Sequence, residues 1–421
     1  MAAVMIPLRP RPPFSLHDAN TVTSAAALAQ HYADLNAYYT WTRYYNLAYP
    51  GFDDISHAEL APLLTGQLLN NIGDPYDGGH GHDHTKDHEQ EVVNYLADLF
   101  HAPASRWGYV TGGTSEGTDH ALHDARLAFP DETPVVFASC AAHYSVGKAV
   151  NRHRLTLVQI CTDETGRMDI GDLRAQLGRF RHRPAVVVAT VGTTLTEAYD
   201  DVADIANVCD SLAISRRRIH VDAALSALPL ALLADHDRPA VDFRAGATSI
   251  VTSGHKFLST LTPCAALIYA QPPNAARTPA VPYTGTRDTT ISGSRSGHTP
   301  LLLFSSLASR GTAGHRLRAE KSREIAADIV EKLRCAGWPA ERGPHGFTVV
   351  FDQPPQTVLD KWVLGPDGRR VRIVCKPNTD PAAIDELIHD LKAAANGARV
   401  IPVPRPRHRP PVGLIAAEVT A

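Results

Sequence analysis

Continuous apolar runs recur through the middle of this chain at Pro134–Ser139, Leu155–Ile160, Ala185–Val191, Arg218–Val221, Ala247–Val251 and Ala265–Ala270. Runs with no polar alternation are what strands need when both faces of a sheet are covered, as in parallel sheets. Helical spacing returns between them. Thr118–Phe129 turns Ala121, Leu122 and Ala125 to one side, Ile205, Val208 and Leu212 make a second stripe, and Glu91–Phe100 reads as a further helix. This rhythm predicts an α/β fold on a mostly parallel sheet. Residues 299–309 read as a helix leaving that unit. A helix (Arg316–Ala336), two strands (Gly346–Phe351, Val371–Val374) and a helix (Pro381–Ala394) then predict a small C-terminal α+β domain.

Ahead of the sheet, Ser24–Tyr45 has helical spacing rich in alanine and tyrosine, suited to wrapping a partner subunit. Met1–Phe14 and residues 399–421 are rich in proline and arginine, so an extended arm and a disordered tail are expected. The predicted division is an arm and helix (1–59), a large domain (60–310), a small domain (311–398) and a tail (399–421). Net charge of −3 gives no argument for nucleic acid or an anionic membrane as partner. The six cysteines show no CxxC spacing, no apolar run approaches a membrane span, and no signal-like segment opens the chain, so a cytoplasmic protein with reduced thiols is expected.

The candidate chemistry lies where the predicted strands end. Lys256 follows one strand in Ser253-Gly254-His255-Lys256-Phe257, and Asp222 ends another in His220-Val221-Asp222-Ala223-Ala224. An amine and a carboxylate so placed suit pyridoxal phosphate: the amine forms a Schiff base with the aldehyde, and the acid keeps the pyridine nitrogen protonated. Thr111-Gly112-Gly113-Thr114-Ser115-Glu116-Gly117 lies between Tyr109-Val110 and a helix, where backbone amides and hydroxyls can cradle a phosphate; an N-capped turn is the plainer alternative. His143 follows a strand and offers a ring to stack on a flat cofactor, and Thr190 with Gly192-Thr193-Thr194 brings hydroxyls to the same edge. In open α/β sheets ligands bind beyond the carboxyl ends of strands, so these groups predict one site.

In these motifs the chain resembles the group II pyridoxal-phosphate amino-acid decarboxylases, and within them the histidine decarboxylase and serine decarboxylase branch. The resemblance rests on Asn70–Tyr76, Trp107–Gly117, His143–Val146, Val191–Thr194, His220–Ala224, Ser253–Phe257 and Asp288–Leu302. It implies a fold-type I enzyme, aspartate aminotransferase-like, acting as a homodimer with active sites at the subunit interface. Its reaction would convert an L-amino acid to its primary amine and CO₂. The resemblance makes Lys256 the Schiff-base lysine, Asp222 the partner of the pyridine nitrogen, His143 the stacking ring and Ala224 the packing on its other face. Ser115, the amides of Gly113 and Thr114, His255 and Ser253 would hold the phosphate, and Thr190 would lie near the ring hydroxyl. Lys256, His143 or a loop tyrosine are candidates to return a proton to Cα, and Tyr283–Ser296 reads as a mobile loop.

The chain departs from the resemblance in Gly73–Glu91, which borders the substrate in the family. Histidine decarboxylases carry Asn-Tyr where this chain has His80-Gly81, and Thr-His-Asp-Phe where it has Thr85-Lys86-Asp87-His88. A remodelled pocket drawing on Tyr76, His80, Gly81, Lys86 and Tyr283 is expected, larger at Gly81 and more polar at Lys86. Pro377-Asn378 resembles the serine branch. His80, His82, His84 and His88 also allow a metal reading, although the pyridoxal mechanism needs no metal and none is expected to function here. Two further alternatives remain: oxygen-dependent or non-decarboxylating chemistry at Cα from the same site, and a non-catalytic homologue.

Overall fold

The computed structural model describes residues 24–274 and 279–395. The expected arm (Met1–Phe14) and tail (399–421) lie outside the described residues. The core is a seven-stranded sheet of β1 (Trp107–Thr111), β2 (Val135–Ser139), β3 (Thr156–Ile160), β4 (Ala185–Thr190), β5 (Arg217–Asp222), β6 (Ser249–Ser253) and β7 (Ala265–Tyr269), in the order β1-β7-β6-β5-β4-β2-β3. Only β7 runs against the rest. The strand at 249–253 begins two residues later than its apolar run suggested; Ala247 closes the preceding turn on Asp242 O, and Thr248 bonds Ile219 O of β5 just ahead of the strand.

Side chains alternate across this sheet, and both faces are buried. Val187, Val221, Ile250 and Ala266 join the larger core cluster, while Val136, Ala138, Val186 and Val188 pack on the other face with Leu122, Ala125, Val146 and Ala149. That double burial is why the strands read as unbroken apolar runs. The helix Thr114–Ala128 lies against the second face at close range. A Cβ built on Gly117 would sit 2.5 Å from Val251 Cγ2, so only glycine lets the helix come this near β6.

Two minor strands, β8 (Ala280–Val281) and β9 (Thr286–Arg287), form a hairpin, and β10 (Ala340–Glu341), β11 (Thr348–Asp352) and β12 (Arg370–Val374) make the antiparallel sheet of the small C-terminal domain. The two helices expected at 299–309 and 316–336 are both present in the run His298–Cys335, and they meet at a break at Gly311 (φ 59°, ψ 179°). Glu197 ties the small sheet to the loop after β4: its buried carboxylate accepts from the amides of Phe347 (2.9 Å) and Thr348 (2.7 Å) and from the Ser226 hydroxyl (3.1 Å). The N-terminal helix, Ala25–Tyr44, buries none of its twenty residues. No helix among the described residues is long and apolar enough to cross a membrane.

Overpacking at the helix–β6 contact should be costly. Gly117→Ala is expected to lower stability by about 1–3 kcal/mol. Denaturant unfolding of Gly117→Ala, Val251→Ala and the double variant checks this, with the pair less than additive because the truncated valine makes room for the new methyl.

Candidate active site

The carboxyl ends of β1, β2, β4, β5 and β6 open onto one cleft of about 510 Å³. Its walls are Gly112–Glu116 after β1, His143 and Tyr144 after β2, Thr190, Gly192 and Thr194 after β4, Asp222 and Ala224 after β5, and His255, Lys256 and Pro263 after β6. The parallel ladder sets these positions: Thr190 pairs with Asp222, and Asp222 with Val251. Ser253, at the end of β6, reaches the phosphate-loop side with its hydroxyl 3.4 Å from Thr114 Oγ1. The sequence-predicted cofactor residues thus converge.

Desolvation governs the charges here. Burial pushes the Asp222 carboxyl up, opposed by Lys256, His143 and the Ala224 amide. Burial lowers the Lys256 amine, opposed by Asp222 and reinforced by the Arg372 guanidinium. A lysine so held is more readily deprotonated, which is the form that attacks a carbonyl. The His143 imidazole is likewise lowered by burial, against the pull of Asp222 and with the push of Lys256 and Lys148.

The loop after β1 is shaped from within. Glu116 accepts from the Gly112 amide (2.8 Å) and the Tyr109 hydroxyl (3.2 Å). Gly113, at φ 154°, takes a backbone conformation closed to most residues and starts the helix Thr114–Ala128 with no side-chain cap. The first amides to find a carbonyl are those of Glu116 and Gly117, both on Gly113, which leaves those of Thr114 and Ser115 at an open, partly positive helix start. Beside it, His255 Nδ1 lies 3.3 Å from both the amide nitrogen and the carbonyl oxygen of Cys264, so either neutral tautomer has a partner.

Thr190 carries the sharpest test of a ligand. Its amide is pinned by Asp200 Oδ2 (2.8 Å), whose other oxygen holds the Met168 amide (2.6 Å), and burial pushes that carboxyl up to about 6. Yet Thr190 Oγ1 is buried at the cleft wall with no hydrogen-bond partner among the described residues. A buried hydroxyl without a partner costs stability unless a ligand satisfies it. An orphan hydroxyl, a free helix start, a half-buried amine and a buried carboxylate together fit a phosphorylated pyridine aldehyde bearing a ring hydroxyl.

Four residues escaped the sequence reading. Tyr144 and Glu116 line the cleft, Asp200 braces Thr190, and Arg372 of β12 acts on Lys256 from the small domain with one long bond of its own, to Gly365 O (3.4 Å). Arg372 sits in a strand far along the chain, and no local pattern distinguishes it from a solvated arginine.

The expected substrate residues do not line the cleft of their own chain. His80 donates its amide to Thr284 O (2.9 Å), and its ring packs so close to Gly285 that a Cβ there would meet it at 2.7 Å. The Lys86 amine is tied to the Asp77 carbonyl, Tyr76 lies near Trp107, Gly81 faces open space and Tyr283 is 85% exposed at the β8–β9 turn. His88 packs edge-on against Phe304 at 5.0 Å. Among the described residues no three His, Cys, Asp or Glu side chains gather in a metal-binding arrangement.

Comparison with known proteins accords with this geometry. The pyridoxal-dependent decarboxylase conserved domain matches residues 84–335. A histidine decarboxylase of Mesorhizobium japonicum is 35% identical over 348 residues, 82% of this chain and 92% of its own length. One from Acinetobacter baumannii is 34% identical over 361 residues, covering 85% and 93%. Among solved structures, an L-methionine decarboxylase variant from Streptomyces sp. 590 superposes with a TM-score of 0.80 at 23% identity, covering 90% of this chain and 98% of that one. A Lactobacillus brevis glutamate decarboxylase gives 0.73 at 19% identity, covering 91% and 95%. The chain therefore belongs to the pyridoxal-dependent decarboxylase family, as a fold-type I, pyridoxal-phosphate-dependent carboxy-lyase acting on an amino acid.

Proposed function

We propose that the chain removes the α-carboxylate of an L-amino acid in a cleft completed by a second copy of itself. The observation that carries this reading is that buried Asp222 at the end of β5 and half-buried Lys256 just after β6 share one cleft with His143 and an uncapped helix start. Lys256 would hold the aldehyde of pyridoxal phosphate and Asp222 its ring nitrogen, with His143 and Ala224 on the two ring faces. The amides of Gly113 and Thr114 with Ser115, Ser253 and His255 would hold the phosphate, and Thr190 the ring hydroxyl. The bound cofactor supplies the electron sink that makes loss of CO₂ feasible. Arg372 is the group we assign to the substrate carboxylate, because its guanidinium is partly unpaired and near enough to influence Lys256. That contact would orient the bond to be broken, and Lys256 can return a proton to Cα.

Several features support a homodimer. A twenty-residue helix with no fully buried residue is poorly supported in an isolated chain. Tyr144 and Leu261, near the cleft, are each 68% exposed, and Tyr283 is more so. We place Tyr76, His80, Gly81 and Tyr283 at the neighbouring subunit's cleft. Because Lys86 is committed to Asp77, the space at Gly81 supports a larger pocket more than a more positive one. Histidine, the substrate named for the relatives, is the first amino acid to test, followed by bulkier ones. The Gly311 break supports a boundary between large and small domains at 310/311. Six unpaired cysteines, three of them exposed, suit a reducing compartment, and we assign the enzyme to the cytoplasm.

The decisive experiment incubates cofactor-loaded protein with each proteinogenic amino acid, trapping CO₂ and identifying products by mass spectrometry. A single amine released with CO₂, and absent with Lys256→Ala, is the expected result. Ammonia, peroxide or aldehyde without a matching amine would instead show Cα chemistry of another kind. Thr190→Val offers a separate check. Removing a hydroxyl that has no protein partner should leave the apoprotein at least as stable in a thermal melt, while cofactor affinity falls about five- to tenfold, the worth of one hydrogen bond.

A further inference from the structure

His143 is followed by the eight-residue helix Ser145–Arg152, and the start of that helix faces the imidazole. Ser145 Oγ lies 2.8 Å from His143 Nδ1, and the Ser145 backbone nitrogen lies 3.3 Å from the same atom. A backbone N–H can only donate. A proton on Nδ1 would therefore point at a second proton, whereas a lone pair there receives the amide and the hydroxyl together. Ser145 is buried, so its hydroxyl has little water to turn to.

We infer that Ser145 is a positioning residue that fixes His143 as the neutral tautomer carrying its proton on Nε2. The role rests on the proposed stacking of His143 in the cofactor cleft. Two donors on one nitrogen lock the ring's rotation as well as its tautomer. The surrounding charges act in mixed directions: Asp222 from β5 favours the cation, while Lys256 after β6 and Lys148 on the same helix oppose it. Tyr144, whose ring lies 4.1 Å from the imidazole, takes Lys148 over its own face at 4.6 Å and so keeps that cation close by. The partly positive helix start adds to the bias against an imidazolium.

The consequence reaches the chemistry. A ring held neutral stacks on a protonated pyridine without charge repulsion. A neutral imidazole is also a poor acid at neutral pH, so the proton that replaces the lost carboxylate comes from another group, and His143 is removed from that role.

Nitrogen-15 NMR of histidine-labelled apoprotein, assigned by difference against His143→Gln, reads the tautomer directly. The expected spectrum shows Nε2 protonated and Nδ1 bare; a proton on Nδ1 overturns the inference whether or not the protein decarboxylates anything. In the loaded enzyme Ser145→Ala should lower kcat about five- to tenfold with KM little changed. Its acid limb should move to higher pH by roughly half to one unit, because losing a donor to bare Nδ1 makes protonation easier. The defect is therefore larger at low pH and shrinks as pH rises. Ser145→Thr keeps the hydroxyl and should restore both readouts. An unmoved acid limb in a normally folded Ser145→Ala protein, checked by its melting temperature, or a threonine variant as impaired as the alanine one, would refute it. Absence of decarboxylation with the expected NMR spectrum would instead count against the enzymatic reading alone.

Discussion

The site depends on keeping a carboxylate and an amine together out of water. Asp222 is 5% exposed, and its register with Val251 brings it to the edge where β6 ends and Lys256 begins. Each is favoured by the other's charge, yet burial outweighs that attraction and drives both toward their neutral forms. The arrangement is therefore poised rather than relaxed. It has a use for a cationic ring beside Asp222 and for a carbonyl beside Lys256, which is a physical reason for one cofactor to need both.

That pairing constrains the rest of the sheet. Parallel strands send their carboxyl ends to one edge, so successive strand–helix units each deliver a group to the same cleft. The single reversed strand, β7, lies between β6 and β1. It therefore holds the glycine loop two strand spacings, roughly 10 Å, from the end of β6. This offset separates the uncapped helix start from Lys256, and the Thr114–Ser253 contact spans it. The small domain is brought in by Glu197, whose backbone takes the left-handed region (φ 56°) to aim its carboxylate at two amides of the Phe347–Thr348 segment. Arg372, two strands into that sheet, is thereby set within electrostatic reach of Lys256.

Most of this framework was legible from the chain because burial on both faces leaves unbroken apolar runs, and because a phosphate loop needs Gly112 and Gly113 in a recognisable place. The reversed direction of β7 was not legible: its residues are as apolar as those of its parallel neighbours, and strand direction leaves no mark on composition. The break between the two helices of the His298–Cys335 run falls at Gly311, where the backbone leaves helical geometry and then resumes it. Arg372, Asp200 and Ser145 were invisible for a different reason. Each acts through a partner far away or through backbone geometry, and neither is written in local spacing.

The substrate residues fall between these cases. His80, Gly81 and Lys86 stand out by their departure from the resemblance, and outside their own cleft His80 is held by the β8–β9 hairpin, Lys86 by the Asp77 carbonyl, and Gly73 by Arg295. Asn71 and Glu89 frame that stretch from inside: Glu89 accepts from the Val110 amide (2.7 Å) and the Asn71 side chain (2.9 Å), and pairs with buried Arg295. The stretch is thus rigidly anchored while Tyr283 and Gly81 stay at the surface. Rigid anchoring with exposed tips is what a loop needs if it is to present fixed side chains to another subunit, since ordering it at the interface then costs little entropy.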